Sequence, residues 1–196
     1  VQWQLRLYAV PVEQMQASAL GRESCPGEAQ GEVQREAGAE EVPEEIPVSR
    51  RTTVMLRNLP NNYSRATVLA TLDGEGFAGM YDFLYLPIDF KSRACLGYAF
   101  VNLVGPDVVG PFWSKFDGYT GWMLPSKKVC SVSWSGPYQG LSAHIARYRN
   151  SPVMHSTVPE EYKPAIFLSG VQMVFPTPTK SPRAPRMRRG TRVFSG

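Results

Sequence analysis

LGYAFVNL, residues 96–103, is the stretch on which the fold turns. Side chains alternate across an extended chain. Tyr98, Phe100 and Asn102 therefore share one face of a strand, and Ala99, Val101 and Leu103 share the other. The small and aliphatic set suits packing against helices. The opposite face then carries two aromatic rings two residues apart, an apolar surface that calls for something to cover it.

Working outward, TTVMLRNLP (52–60) is β-branched and apolar and is closed by Pro60 and Asn61, which predicts a strand and a turn. Ser64 is placed to cap a helix through Leu72, with Ala66, Leu69 and Ala70 at helical spacing and Gly74 and Gly76 ending it. YDFLYLPI (81–88) predicts a second strand, and DFKSRAC (89–95) a polar loop leading to the 96–103 strand. Asp107 opens a second helical stretch through Val108, Phe112 and Phe116, before Gly118. KKVCSVSW (127–134) predicts the fourth strand.

This order is the α+β, ferredoxin-like βαββαβ plan: a four-stranded antiparallel sheet with two helices on one face. The plan alone names no function. Beyond it, Leu141, Ile145 and Tyr148 form one apolar stripe of a further, C-terminal helix, with His144, Arg147 and Arg149 beside it. His144 is expected at the surface.

Charge divides the chain. Residues 1–50 hold nine acidic and four basic side chains, residues 51–150 six and ten, and residues 151–196 two and seven. An acidic head followed by a basic body and tail is what a partner of a polyanion often shows. We expect 1–50 to be an acidic, mostly disordered segment, 51–136 the folded domain, 137–167 its helical extension, and 168–196 a disordered basic tail rich in Pro and Arg. WQLRLYAV (3–10) alternates like a strand remnant. Three widely spaced cysteines, Cys25, Cys95 and Cys130, argue against a disulfide framework or a cysteine zinc site. No apolar run approaches the ~20 residues that span a bilayer. The expected setting is intracellular, in the nucleus, the cytoplasm or both.

LGYAFVNL resembles the longer ribonucleoprotein consensus of the RNA recognition motif, and VMLRNL (54–59) its shorter partner on the first strand. Similarity is closer still to the C-terminal RNA recognition motif of the Mei-two-like proteins. TTVMLRNLPNNYSRATVLATLD, YDFLYLPIDFKSR, LGYAFVNL and the extension SGPYQGLSAHIARYRNSPVM all follow that family's pattern. The resemblance runs from Arg51 to near Phe167. It implies single-stranded RNA as the partner and a part in post-transcriptional, meiotic or developmental regulation.

Carried over by position, the resemblance implies that Tyr98 and Phe100 stack on bases. Met55 stands where many such motifs have another aromatic, and its polarizable sulfur offers a softer platform. Leu96 and Leu103 replace the basic and aromatic residues usual at the ends of the longer motif. Arg57 shares the face of Met55 by alternation, as Asn102 shares that of Phe100. Lys91 and Arg93 in the loop, and Lys128 at the entry to the fourth strand, are placed to follow a phosphate backbone. Tyr85 extends the aromatic face only if its strand takes one of two registers: Phe83 and Tyr85 face one side, Leu84 and Leu86 the other. Arg147 on the C-terminal helix is a further RNA candidate if that helix lies by the aromatic face.

The competing reading is an RNA-recognition-like module that holds protein, with the C-terminal helix as its contact. No catalytic constellation appears: His144 and His155 are isolated, there is no phosphate-binding glycine loop, and Cys95 has no histidine nearby in sequence. Neither an enzymatic activity nor a cofactor, metal or small-molecule substrate is expected.

Overall fold

The computed structural model describes residues 46–185. The expectations for the acidic head up to residue 45, including the 3–10 stretch, and for residues 186–196 of the tail lie outside the described residues.

Strand β1 (Thr53–Arg57) is followed by helix α1 (Arg65–Leu72). Ser64 caps α1 as its sequence position predicts: its backbone is extended and its Oγ accepts the Thr67 N–H at 3.1 Å. A π-type turn, Asp73–Phe77, leads to β2 (Tyr81–Tyr85), then β3 (Tyr98–Leu103) and α2 (Pro106–Phe116). Helix α2 starts one residue before Asp107. Pro106 occupies the first turn, where a missing N–H costs no intrahelical bond. Strand β4 is only Ser131–Trp134, shorter than its sequence predicts. Residues 127–129 are held instead as a loop, in which the Trp122 indole donates to the Lys128 carbonyl at 2.6 Å.

Both helices cover one face of the sheet. Val54, Leu56, Leu84, Ala99, Val101, Leu103 and Val132 point toward them and are buried against Val68, Leu72, Phe112 and Phe116. The alternation read in residues 96–103 therefore holds: Ala99, Val101 and Leu103 are core.

The sheet has six strands rather than four, in the order β4-β1-β3-β2-β5-β6. The two additional strands, β5 (Ala165–Leu168) and β6 (Val171–Met173), form a hairpin on the free edge of β2. Ser169 and Gly170 turn the chain with φ of 50° and 79°, the left-handed geometry that a two-residue hairpin requires. The fold thus continues past Phe167. The following segment is also held: Asn150 Oδ1 accepts the Thr179 N–H at 3.0 Å, and Arg149 Nε donates to the Thr177 carbonyl at 2.5 Å. The expected boundary at residue 168 is corrected accordingly, because hydrogen bonding continues through Lys180.

Candidate nucleic-acid interface

After β4 the chain reverses over the second face of the sheet. Gly136 and Gly140, with φ of 79° and 85°, allow that reversal, and helix α3 (Leu141–Arg149) follows. Its start is tied to β1 by Gln139, whose Oε1 accepts the N–H groups of Thr52 and Thr53 at 3.1 and 2.8 Å while its Nε2 donates to the Thr53 carbonyl at 2.9 Å. The Gly140 N–H donates to Thr53 Oγ1 at 2.8 Å. Helix α3 has no side-chain cap. Its approach to the sheet is fixed by these bonds to β1.

Of the predicted stripe of Leu141, Ile145 and Tyr148, Tyr148 is buried as expected, while Leu141 and Ile145 are half-buried and His144 takes the second inward place. The reason lies in the surface beneath. Phe83 and Tyr85 of β2 face this side, and flat rings pack best on flat rings. Phe83 lies 4.7 Å from His144 and 5.8 Å from Tyr148, the latter pair nearly parallel at 20°. Tyr85 lies 4.8 Å from Tyr148. This second aromatic core buries His144 to 1% exposure, so the expectation of a surface histidine is corrected. Neither imidazole nitrogen makes a hydrogen bond of full geometry. Burial, with the nearby charge of Arg147 in support and the Tyr138 backbone in opposition, pushes its pKa down to about 4.

The register of β2 is now settled, because Tyr85 pairs with Phe100 and Phe83 with Asn102. Tyr85 does belong to the aromatic face, but α3 covers it completely and removes it from the accessible candidates. Phe100 is also buried, with His144 at 6.1 Å. Asn102 is corrected as well. Its Oδ1 accepts from Thr52 Oγ1 and Thr53 Oγ1 at 2.8 and 2.6 Å, and its Nδ2 donates to Asp82 Oδ1 at 2.7 Å. These bonds hold the start of β1 to β3, leaving Asn102 buried and engaged. Burial raises the pKa of Asp82, against the hydrogen bond from Asn102.

The other half of the face stays open. Arg57 is exposed and stands directly opposite the half-buried Tyr98 in the β1–β3 register, while Met55 stands opposite Phe100 on one side and Ser133 on the other. The Tyr98 ring meets Phe100 edge to face at 5.7 Å. Arg57 Nε donates to Ser133 Oγ at 3.0 Å, which holds the guanidinium over β4. Tyr98, Met55 and Arg57 are thus brought together by strand pairing. At the rim, Arg147 lies 4.2 Å over the ring of Tyr138, an aromatic that sequence reasoning passed over.

The remaining basic candidates divide. Lys128 is spent on the loop after β1: its Nζ donates to the Leu59 carbonyl at 2.8 Å and to Asn61 Oδ1 at 2.6 Å. Arg93 has a φ of 58° and lines a groove with Arg65, Ala66 and Leu69 of α1, on the helix side of the sheet. Arg93 thus sits with α1, and Lys128 is held by the loop after β1. Lys91 is exposed in the loop, where its backbone N–H is held by Asp89 at 3.1 Å.

Residues 51–149 match the family model RNA recognition motif 2. Curated relatives include Protein MEI2-like 4 of Arabidopsis thaliana, 47% identical over 105 residues, which are 54% of this chain and 11% of that protein. Protein MEI2-like 5 of Arabidopsis thaliana is 42% identical over 60% of this chain and 14% of its own length. Meiosis protein mei2 of Schizosaccharomyces pombe (strain 972 / ATCC 24843) is 35% identical over 69% of this chain and 18% of its own length. The chain thus spans under a fifth of each of these relatives. Among solved structures, "Structure of Rna15 RRM with bound RNA (GU)" aligns with a TM-score of 0.39 at 15% identity, over 48% of this chain and 93% of that one.

Proposed function

This chain belongs to the RNA recognition motif 2 family and is similar to Mei2-like proteins, and we propose that it binds single-stranded RNA on the half of its sheet that α3 does not cover. One observation carries the reading. Tyr98 and Arg57 stand opposite each other on neighbouring strands, so a stacking ring and a phosphate-seeking cation share one accessible patch with Met55. Bases stack on the ring whatever their sequence, and the guanidinium neutralises the backbone. Lys91, exposed in the loop before β3, and Arg147 on α3 add attraction for phosphate. The RNA is bound for regulation, in a meiotic or developmental setting of the kind that the name of the relative Meiosis protein mei2 indicates, and in the nucleus, the cytoplasm or both.

Affinity for a pool of short RNA strands, measured as salt is varied, tests this. Tyr98→Ala is expected to weaken binding by about 1 to 3 kcal/mol, and Arg57→Ala to lower the salt slope by about one. A folded Tyr98→Ala variant with parental affinity sinks the proposal.

A second reading is favoured by the exposed Leu168, Val171 and Val174 on and beside the β5–β6 hairpin. In it the domain holds a protein partner, and RNA affinity is absent while apolar contacts at that hairpin carry the binding.

A further inference from the structure

Rings connect the open patch to the start of α3. Tyr98 meets Phe100 at 5.7 Å, Phe100 meets His144 at 6.1 Å, and His144 meets Tyr138 at 6.5 Å. Within this series His144 is anomalous. It is 1% exposed, and neither ring nitrogen makes a hydrogen bond of full geometry, the Tyr138 backbone being the polar group that bears on the ring. Leaving a polar group buried and unpaired is costly, and a phenylalanine would fill the same slot between Phe83 and Phe100 without that cost. The hydrogen-bonding capacity of this imidazole is not fully used in the free protein.

Its cover is a partly exposed ring. Tyr138 is 39% exposed and touches Arg147 at 4.2 Å and His144 at 6.5 Å. Gly136 and Gly140, at positive φ, flank it, and Gln139 beside it ties the backbone to β1. The pair of Tyr138 and Arg147 is therefore a ring-and-guanidinium clasp above a buried imidazole, with Phe100 between that imidazole and the Tyr98 platform.

We infer that this clasp is a second nucleobase site, resting on the RNA-binding reading above. A base entering from the Tyr98 side displaces Tyr138, stacks on the Arg147 guanidinium, and hydrogen-bonds through its edge to His144. Guanidinium planes and aromatic rings are the surfaces on which splayed bases of single-stranded RNA are held. A neutral imidazole offers one donor and one acceptor, so it reads a base edge without attracting phosphate. His144 then contributes to base preference and not to salt dependence.

The test compares the parent with His144→Phe and His144→Gln, using fluorescence anisotropy on short oligomers of U, A, C and G. His144→Phe is expected to match or exceed the parent in thermal stability, lose about five- to tenfold in affinity for the preferred base, and keep the parental salt slope. His144→Gln, which retains a donor and an acceptor, is expected to recover part of that loss. Equal affinity and equal base preference in a folded His144→Phe variant overturn the inference while leaving the Tyr98 platform standing. If the parent binds none of the oligomers, the RNA reading itself falls, and this site with it. Crosslinking of parental protein to thiouridine-containing RNA decides the matter independently of how any variant folds. Adducts within residues 137–149 support the site, and adducts confined to the β1 and β3 strands overturn it.

Discussion

The rings of His144 and Phe83 pack with centroids 4.7 Å apart and planes 32° from parallel. A titratable side chain thus fills a slot in an aromatic core, and stability becomes dependent on pH. Burial pushes His144 down to about 4 in the folded protein, against about 6.5 in an unfolded chain. Between those values the unfolded state binds more protons. Stability is therefore full above pH 6.5, falls as pH drops through the window, and levels off below about 4, for a total loss of about 3 kcal/mol from this group. Denaturant unfolding at a series of pH values measures it, and His144→Phe is expected to remove that slope.

Tyr148 is fully buried between Phe83 and Tyr85. Tyr148→Ala opens a cavity there and is expected to cost about 3 to 5 kcal/mol. Urea unfolding gives the size, and amide exchange shows whether α3 loosens before the rest of the domain. A loss under about 1 kcal/mol contradicts α3 as an integral layer of the fold.

Gln139 satisfies three backbone groups at the start of β1. Gln139→Ala leaves the Thr52 and Thr53 N–H groups without this acceptor, while the Thr53 carbonyl keeps the Ser135 N–H, with an expected loss of about 1 to 3 kcal/mol. Because the same residue ties the start of α3 to β1, protection of α3 amides is expected to fall with it. Thermal unfolding combined with hydrogen exchange reads both effects.

How much of this was legible in sequence depended on how local the determinant was. Ser64 with Thr67, and the alternation from Tyr98 to Leu103, are set by neighbours in the chain, and both appear as read. The inward face of α3 was legible at Tyr148 and not at His144. Leu141 and Ile145 are the more apolar residues, but the surface under the helix is made of rings from β2 and β3, and these select His144 and Tyr148. Sequence patterning also left the β2 register open until Phe83 and Tyr85 acquired a cover. The fate of Asn102 and Lys128 rested on partners far along the chain, Thr53 and Asp82 for one and Leu59 and Asn61 for the other. A signal for the β5–β6 hairpin was present: Ser169 and Gly170 separate two short apolar runs, the pattern of a two-residue turn.

Lys128 distinguishes a structural cation from an RNA-binding one. Lys128→Ala removes two hydrogen bonds that hold the loop after β1, and is expected to cost about 1 kcal/mol of stability. RNA affinity of the folded variant, measured well below its unfolding temperature, is expected to stay at the parental level. A drop in affinity with a reduced salt slope counts against the structural assignment.

Titration of the isotopically labelled chain with short single-stranded RNA, followed by NMR, locates the surface that the RNA touches. Resonances of Met55, Arg57, Tyr98 and Ser133 are expected to shift first and furthest, while those of the exposed hairpin residues Leu168 and Val171 stay in place. Shifts confined to the β5–β6 hairpin, or none at all on the β1 and β3 strands at saturating RNA, contradict RNA binding on the open half of the sheet.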